Sequence, residues 1–225
     1  MTMNARFWLG DAIYGVNDGL AAIFGMIAGV SGFTDNHRMI LVSGLFGAIA
    51  STLSMGAGAW LAARSENEVK ECELLHQRQQ ITQNLEDYKW TLHKEYIENG
   101  FSQDEARWIV DRLASNPERF QQMMLNEHLE VHDHHKKNPW HAMLFAGLST
   151  LVGALIPLVP LFFLSHQAAF IAAAVVSITA HYVVGAVKSL VTMRPWWQSG
   201  FEMMAVGILV GIVSYGLGSL SSLMV

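Results

Sequence analysis

The sequence predicts an all-α polytopic membrane protein, with five transmembrane helices and a cytoplasmic helical domain between helices two and three. Three observations predict it. Of the 225 residues, 52% are hydrophobic and only 15% charged, too few charges for an ordinary globular surface. Five apolar stretches each match or exceed the ~20 residues needed to cross ~30 Å of hydrocarbon. The charges are also gathered in one place: residues 64–137 hold 15 of the 19 acids and 10 of the 14 Lys and Arg. The same numbers exclude other classes. A single Cys72 rules out a disulfide scaffold, and the abundance of Leu, Ile, Val and Phe rules out disorder. A net charge of −5 and a pI near 6.0 argue against nucleic acid as a partner.

Helix one is read from Phe7 to Phe33. Its length and its acids Asp11 and Asp18 are wrong for a signal peptide, so it is expected to stay in the mature protein. The short polar turn Thr34 to Arg38 leads into helix two, Met39 to Ala63. Helices three and four, Trp140 to Leu164 and Ala168 to Leu190, are joined by Ser165 to Gln167. Arg194 to Trp197, with an interfacial aromatic pair, precedes helix five, Phe201 to Val225. The expected organisation is therefore residues 1–64 as helices one and two, 65–138 as the helical domain, and 139–225 as helices three to five. In this threading Arg6, Arg64, Lys70, Lys136, Lys137, Lys188 and Arg194 fall on one side and only Arg38 on the other. The positive-inside rule then makes the N-terminus and the helical domain cytoplasmic and puts Val225 outside or in a lumen. The compact chain points to a bacterial-type cell membrane.

Within the charged segment, the pattern from Glu66 runs without Gly or Pro to about Asn84, so helix two is expected to project into the cytoplasm. A helix over Leu85 to Glu98 ends at the Asn99–Gly100 stop signal. Ser102 and Glu105 form a capping box opening a helix through Leu113. Asn116 and Pro117 open a last one, which carries Met123, Met124 and Glu127 and is expected to fray near His134.

An ionisable group in hydrocarbon costs about 3 kcal/mol on insertion scales and is a functional candidate by default. Asp18 lies about eleven residues into helix one, ~16 Å deep at 1.5 Å per residue. Asp11, two turns shallower, shares nearly the same face. Both read either as steps of a polar path, continued by Asn17, or as hydrogen bonds that fix helix packing. Met55, between Ser54 and Gly56 on helix two, lies at comparable depth. A thioether with a carboxylate suits a borderline divalent transition metal better than Mg or Ca, although a membrane Met also serves packing. Glu202 opens helix five as a proton carrier, a ligand at the mouth of a path, or a glutamate favoured by the helix dipole. His181 is deep enough to titrate usefully or to sit as a satisfied buried imidazole. In the helical domain Met123 or Met124 shares a face with Glu127, and Glu66 and Glu73, seven apart, can face them. The competing reading is a solvated acidic face, whose excess of acids still concentrates cations. His128, His132 and His135 form a stripe if the last helix reaches them, and a solvated linker if not. No Walker loop, Rossmann fingerprint, His-Glu-x-x-His motif or nucleophile elbow is present. These absences argue against nucleotide-driven pumping and against an enzyme, so any uphill transport is expected to need a gradient, and no cofactor is expected.

Asp11 to Leu20, followed by Ala28, Gly29, Val30, Ser31 and Gly32, resembles the first helix of the vacuolar iron transporter family. Ser54 to Glu66 in helix two agrees, as do Gly185 to Lys188, Trp196, Ser199, Gly200 and a Gly-rich last helix. The resemblance covers essentially the whole chain. It implies a homodimer of five-helix protomers in the lipid bilayer that exports cytosolic ferrous iron (Fe2+) or manganese (Mn2+) in exchange for protons, for metal homeostasis and detoxification. It also implies that Asp18 and Met55 line the metal path between protomers, and that Met123, Met124 and Glu127 are ligands in the cytoplasmic domain. Where the family carries glutamates this chain has Gln77, Gln80, Tyr88 and Thr91. Amides bind divalent ions less strongly than carboxylates, so only part of that site is retained, with Glu66, Glu73 or the His128 stripe as substitutes by spacing. The rival reading is a membrane-anchored metal sensor or buffer without transport.

Overall fold

In hydrocarbon a chain must pair every backbone N–H and C=O within itself, and a helix does so within one segment. The computed structural model describes residues 3–127, 136–164 and 166–224, with 3–9, 11, 126, 127 and 166 described by their backbone alone. Among the described residues the chain is all-helical: α1 (Met3–Phe33), α2 (His37–Gln83), α3 (Leu85–Glu98), α4 (Gln103–Ala114), α5 (Pro117–Glu127), α6 (Pro139–Phe163), α7 (His166–Thr192) and α8 (Trp196–Ser222). Five of these, α1, α2, α6, α7 and α8, are long and apolar enough to cross a membrane. The last begins five residues earlier than hydropathy alone predicts. Pro195, with φ −56°, sets the backbone for a helix start, so Trp196 and Trp197 form the first turn of α8 instead of a connecting loop.

The chain forms two units, residues 1–62 with 138–225 and residues 63–137, and the boundary falls inside α2. In the first unit, Ile23, Ile27, Ile40, Ala48, Ala154, Leu158, Leu161, Ala169 and Ala173 make the core. Large apolar side chains such as Phe46, Leu148, Leu209 and Ile212 point outward and exposed, as a surface bathed in lipid requires. Small residues bring the helix backbones together. Gly15 meets Ser149, Gly19 meets the Thr150 carbonyl and Gly153 meets the Val16 carbonyl, so α1 and α6 touch backbone to backbone and run the same way. Gly25, Gly29 and Gly32 step along Val210, Ser214 and Ser219, making α8 parallel to α1 as well. By contrast Gly44 packs on Ile27 and Gly47 on Ile23 and Met26, so α2 is antiparallel to α1. Gly185 against Ser199 and Gly207 against His181 make α7 antiparallel to α8. The start of α1 and residues 62 and 138 therefore share one end of this bundle, and the last turn of α8 lies at the other.

The second unit is held by Ile81, Leu92, Val110, Phe120, Met124 and Leu125. Its turns carry their own signals. Gly100, at φ +95°, takes the left-handed conformation that ends α3. The Ser102 hydroxyl accepts from the Glu105 amide at 3.4 Å while the Glu105 carboxylate accepts from the Ser102 amide at 3.0 Å, completing the capping box. The Asn116 side chain accepts from the Arg119 amide at 3.1 Å and caps α5.

Candidate functional site

The site begins with the face of α1 that runs beside α8. Gly15 and Gly19 turn toward α6, and Leu20, Phe24 and Ile27 are buried. What remains is a row beginning at Asp18 and running through Ala22, Gly25, Met26 and Gly29 to Phe33. Together with Val210, Ser214, Gly218 and Ser221 of α8 it lines a groove of about 770 Å³.

Asp18 stands at one end of this groove, half-buried, and its Oδ2 accepts from the Ser51 hydroxyl of α2 at 3.4 Å. One long neutral hydrogen bond is thin support for a carboxylate in a membrane-spanning helix. Met55, also half-buried, is one helical turn beyond Ser51 on α2, toward the start of α1. There α2 passes α6 closely, with Gly56 against Met143 and Thr52 against Gly147. Asp11 lies in α1 two turns before Asp18, and its side chain is outside the described residues. Glu202 is exposed and stands 3.6 Å from the Arg194 guanidinium across the α7–α8 connection. His181 is fully buried in α7. Its Nδ1 donates to the Ser177 carbonyl at 2.8 Å and its ring lies against Gly207, the arrangement of an imidazole satisfied on one nitrogen.

The second unit uses several of its expected ligands for other purposes. Met124 is 1% exposed and packs in the core beside Phe120, and Met123 is packed against that core. Glu66 accepts from Lys70 at 2.8 Å and from Lys137 at 2.9 Å. These two hydrogen-bonded ammonium groups, Lys70 first, hold its carboxyl below the ordinary glutamate value. Glu73 is exposed on α2. Gln80 and His76 pair side chain to side chain at 3.1 Å, Tyr88 packs on the core, and the Thr91 hydroxyl donates to the Asp87 carbonyl. Glu127 is the last residue of α5, and its side chain, like His128, His132, His134 and His135, is outside the described residues. Among the described residues, no three His, Cys, Asp or Glu side chains gather as a group able to hold a metal.

Two residues here, Met26 in the groove and Ser51 bonded to Asp18, are not singled out by the sequence. Met26 is one of 12 methionines in a wholly apolar neighbourhood, and only the antiparallel register of α1 and α2 brings Ser51 to Asp18.

The VIT family model matches residues 9–219 of the chain. Vacuolar iron transporter 1 of Oryza sativa subsp. japonica is 28% identical over 208 residues, covering 92% of this chain and 82% of the relative. Vacuolar iron transporter 2 of the same plant is 29% identical over 211 residues, covering 92% and 85%. The vacuolar iron transporter of Toxoplasma gondii is 30% identical over 224 residues, covering 95% and 74%.

Proposed function

Because the chain belongs to the VIT family, we propose that it is a homodimeric, proton-coupled transporter moving ferrous iron, and manganese with it, out of the cytosol. The observation that carries this reading is Asp18: a carboxylate in a membrane-spanning helix, held among the described residues by a single hydroxyl and open to a groove. Such a group needs a cation, and it has two available. With a divalent metal it is ionised and binds, and with a proton it is neutral and releases. Metal and proton compete for the same oxygens, so a carboxylate loaded from one side and protonated from the other couples the two fluxes in opposite directions. Met55, a turn from Ser51, adds a soft contact suited to a borderline transition metal. A second copy of the chain facing the α1 surface would enclose the path, and Asp11 and Glu202 are proposed as its approaches on the cytoplasmic side.

Storage or sensing in the helical unit draws less support. Glu66 is engaged by two lysines and Met124 is a core side chain, so both would have to be released before binding a metal.

The test is metal flux into proteoliposomes under an imposed pH gradient, with ferrous iron and manganese measured in parallel. Asp18→Asn keeps the shape of the side chain and removes its charge. We expect it to abolish metal flux and the coupled proton movement together. Flux that survives in Asp18→Asn, or proton movement that does, overturns the role of this carboxylate.

A further inference from the structure

We infer that Met26 is a second soft metal contact in the Asp18 groove and sets the preference between ferrous iron and manganese. The inference rests on the transport reading above and adds a residue that decides which ion passes.

Met26 follows Asp18 by eight residues on α1, a rise of roughly 12 Å along the helix. Both line the same groove, and Met26 is 39% exposed overall. An ion leaving Asp18 along the groove toward Phe33 therefore passes this thioether. The rest of the wall near it is Ala22, Gly25, Gly29, Val30 and Val210 with the hydroxyl-bearing Ser214, which offer weak oxygen contacts or none.

The placement of the sulfur depends on a second residue. A Cβ added at Gly47 of α2 would lie 2.5 Å from the Met26 Sδ and 2.9 Å from its Cε, so the thioether occupies the space that a larger residue at 47 would take. The side chain is thus seated between α1 and α2, with its sulfur at a defined position beside the groove. Sulfur of this kind favours softer ions, and among first-row divalent metals ferrous iron binds mixed ligand sets more tightly than manganese. A hard carboxylate at Asp18 alone discriminates little between them, and a thioether on the route adds the bias toward iron.

The experiment compares initial rates of ferrous iron and manganese entry into proteoliposomes holding the full chain, under one pH gradient. Met26→Leu conserves volume and removes the sulfur. Gly47→Ala keeps the sulfur and pushes it aside. Met39→Leu, an exposed methionine that does not line the groove, is the control. The expected result is a several-fold fall in the iron-to-manganese ratio for Met26→Leu and for Gly47→Ala, with Met39→Leu at the wild-type ratio. A Met26→Leu protein with an unchanged ratio, whatever its total flux, overturns the inference and leaves the transport reading standing. Wild-type protein that carries neither metal overturns both. Where Met26→Leu does not reach the membrane folded, the ratio in Gly47→Ala decides.

Discussion

Asp18 and Glu66 show how differently one charge is treated in the two units. Among the described residues Asp18 has a single neutral donor, the Ser51 hydroxyl, which does little to offset the cost of holding an ionised carboxylate in hydrocarbon. That shortfall is the ground for the proposal that a passing cation binds there. Glu66 has two ammonium partners, and its carboxyl titrates below the ordinary value of 4.5. A carboxyl with a depressed folded value contributes stability that is present above its unfolded value and is lost as pH falls through the folded one. Its side chain is 39% exposed, so solvent screens the pair and its worth is about 0.5 kcal/mol. Glu66→Gln is therefore expected to melt slightly below wild type at pH 7, and the two melting temperatures should converge as pH drops below about 4.5. Thermal melts of the purified protein across that range check this. A constant gap down to acid pH would mean that the lysine pairs contribute nothing through ionisation.

At the scale of elements, the contact of α1 with α6 is a tight constraint on the first unit. A Cβ at Gly153 would press on the Val16 carbonyl and lie 3.0 Å from the Leu20 amide, both backbone atoms that cannot turn away. Gly153→Ala must part the two helices, at a cost of about 1–3 kcal/mol. Gly216 of α8 has nothing within 4 Å of an added Cβ, so Gly216→Ala is expected to leave stability unchanged or raise it. Melting temperatures of the two variants in detergent separate these outcomes, and equal temperatures would contradict the backbone contact. The positions of such elements were largely legible in the sequence. Length and hydropathy marked the five long helices, and Ser102, Glu105, Gly100 and Pro117 marked the shorter ones through capping and turn chemistry. Pairings between distant elements were not. The spacing of Met123, Met124 and Glu127 suits a ligand face and a core face equally well, and only packing against Phe120 and Ile81 assigns Met124 to the core. Lys137 is 71 residues from Glu66, and no local pattern links them. Met26 over Gly47 likewise needs the register of α1 against α2, which hydropathy does not encode.

At the scale of the whole molecule, the direction of transport depends on which side the charged unit occupies. In the bundle α1, α6 and α8 run one way and α2 and α7 the other, so residues 62 and 138 share an end with the start of α1 while Ser222 is at the far end. From the Lys and Arg bias near the helix ends, we expect the first of these ends to face the cytosol. Cys72 makes this directly testable, because it is the one cysteine in the chain and lies exposed on α2. A membrane-impermeant maleimide should label Cys72 in sealed inside-out vesicles and leave it unlabelled in right-side-out ones. Ser222→Cys in a Cys72→Ser background should give the reverse pattern. Labelling of Cys72 from the outside would turn the molecule over. Asp18 would then be loaded from the opposite face, and the same carboxylate exchange would bring metal into the cytosol instead of clearing it.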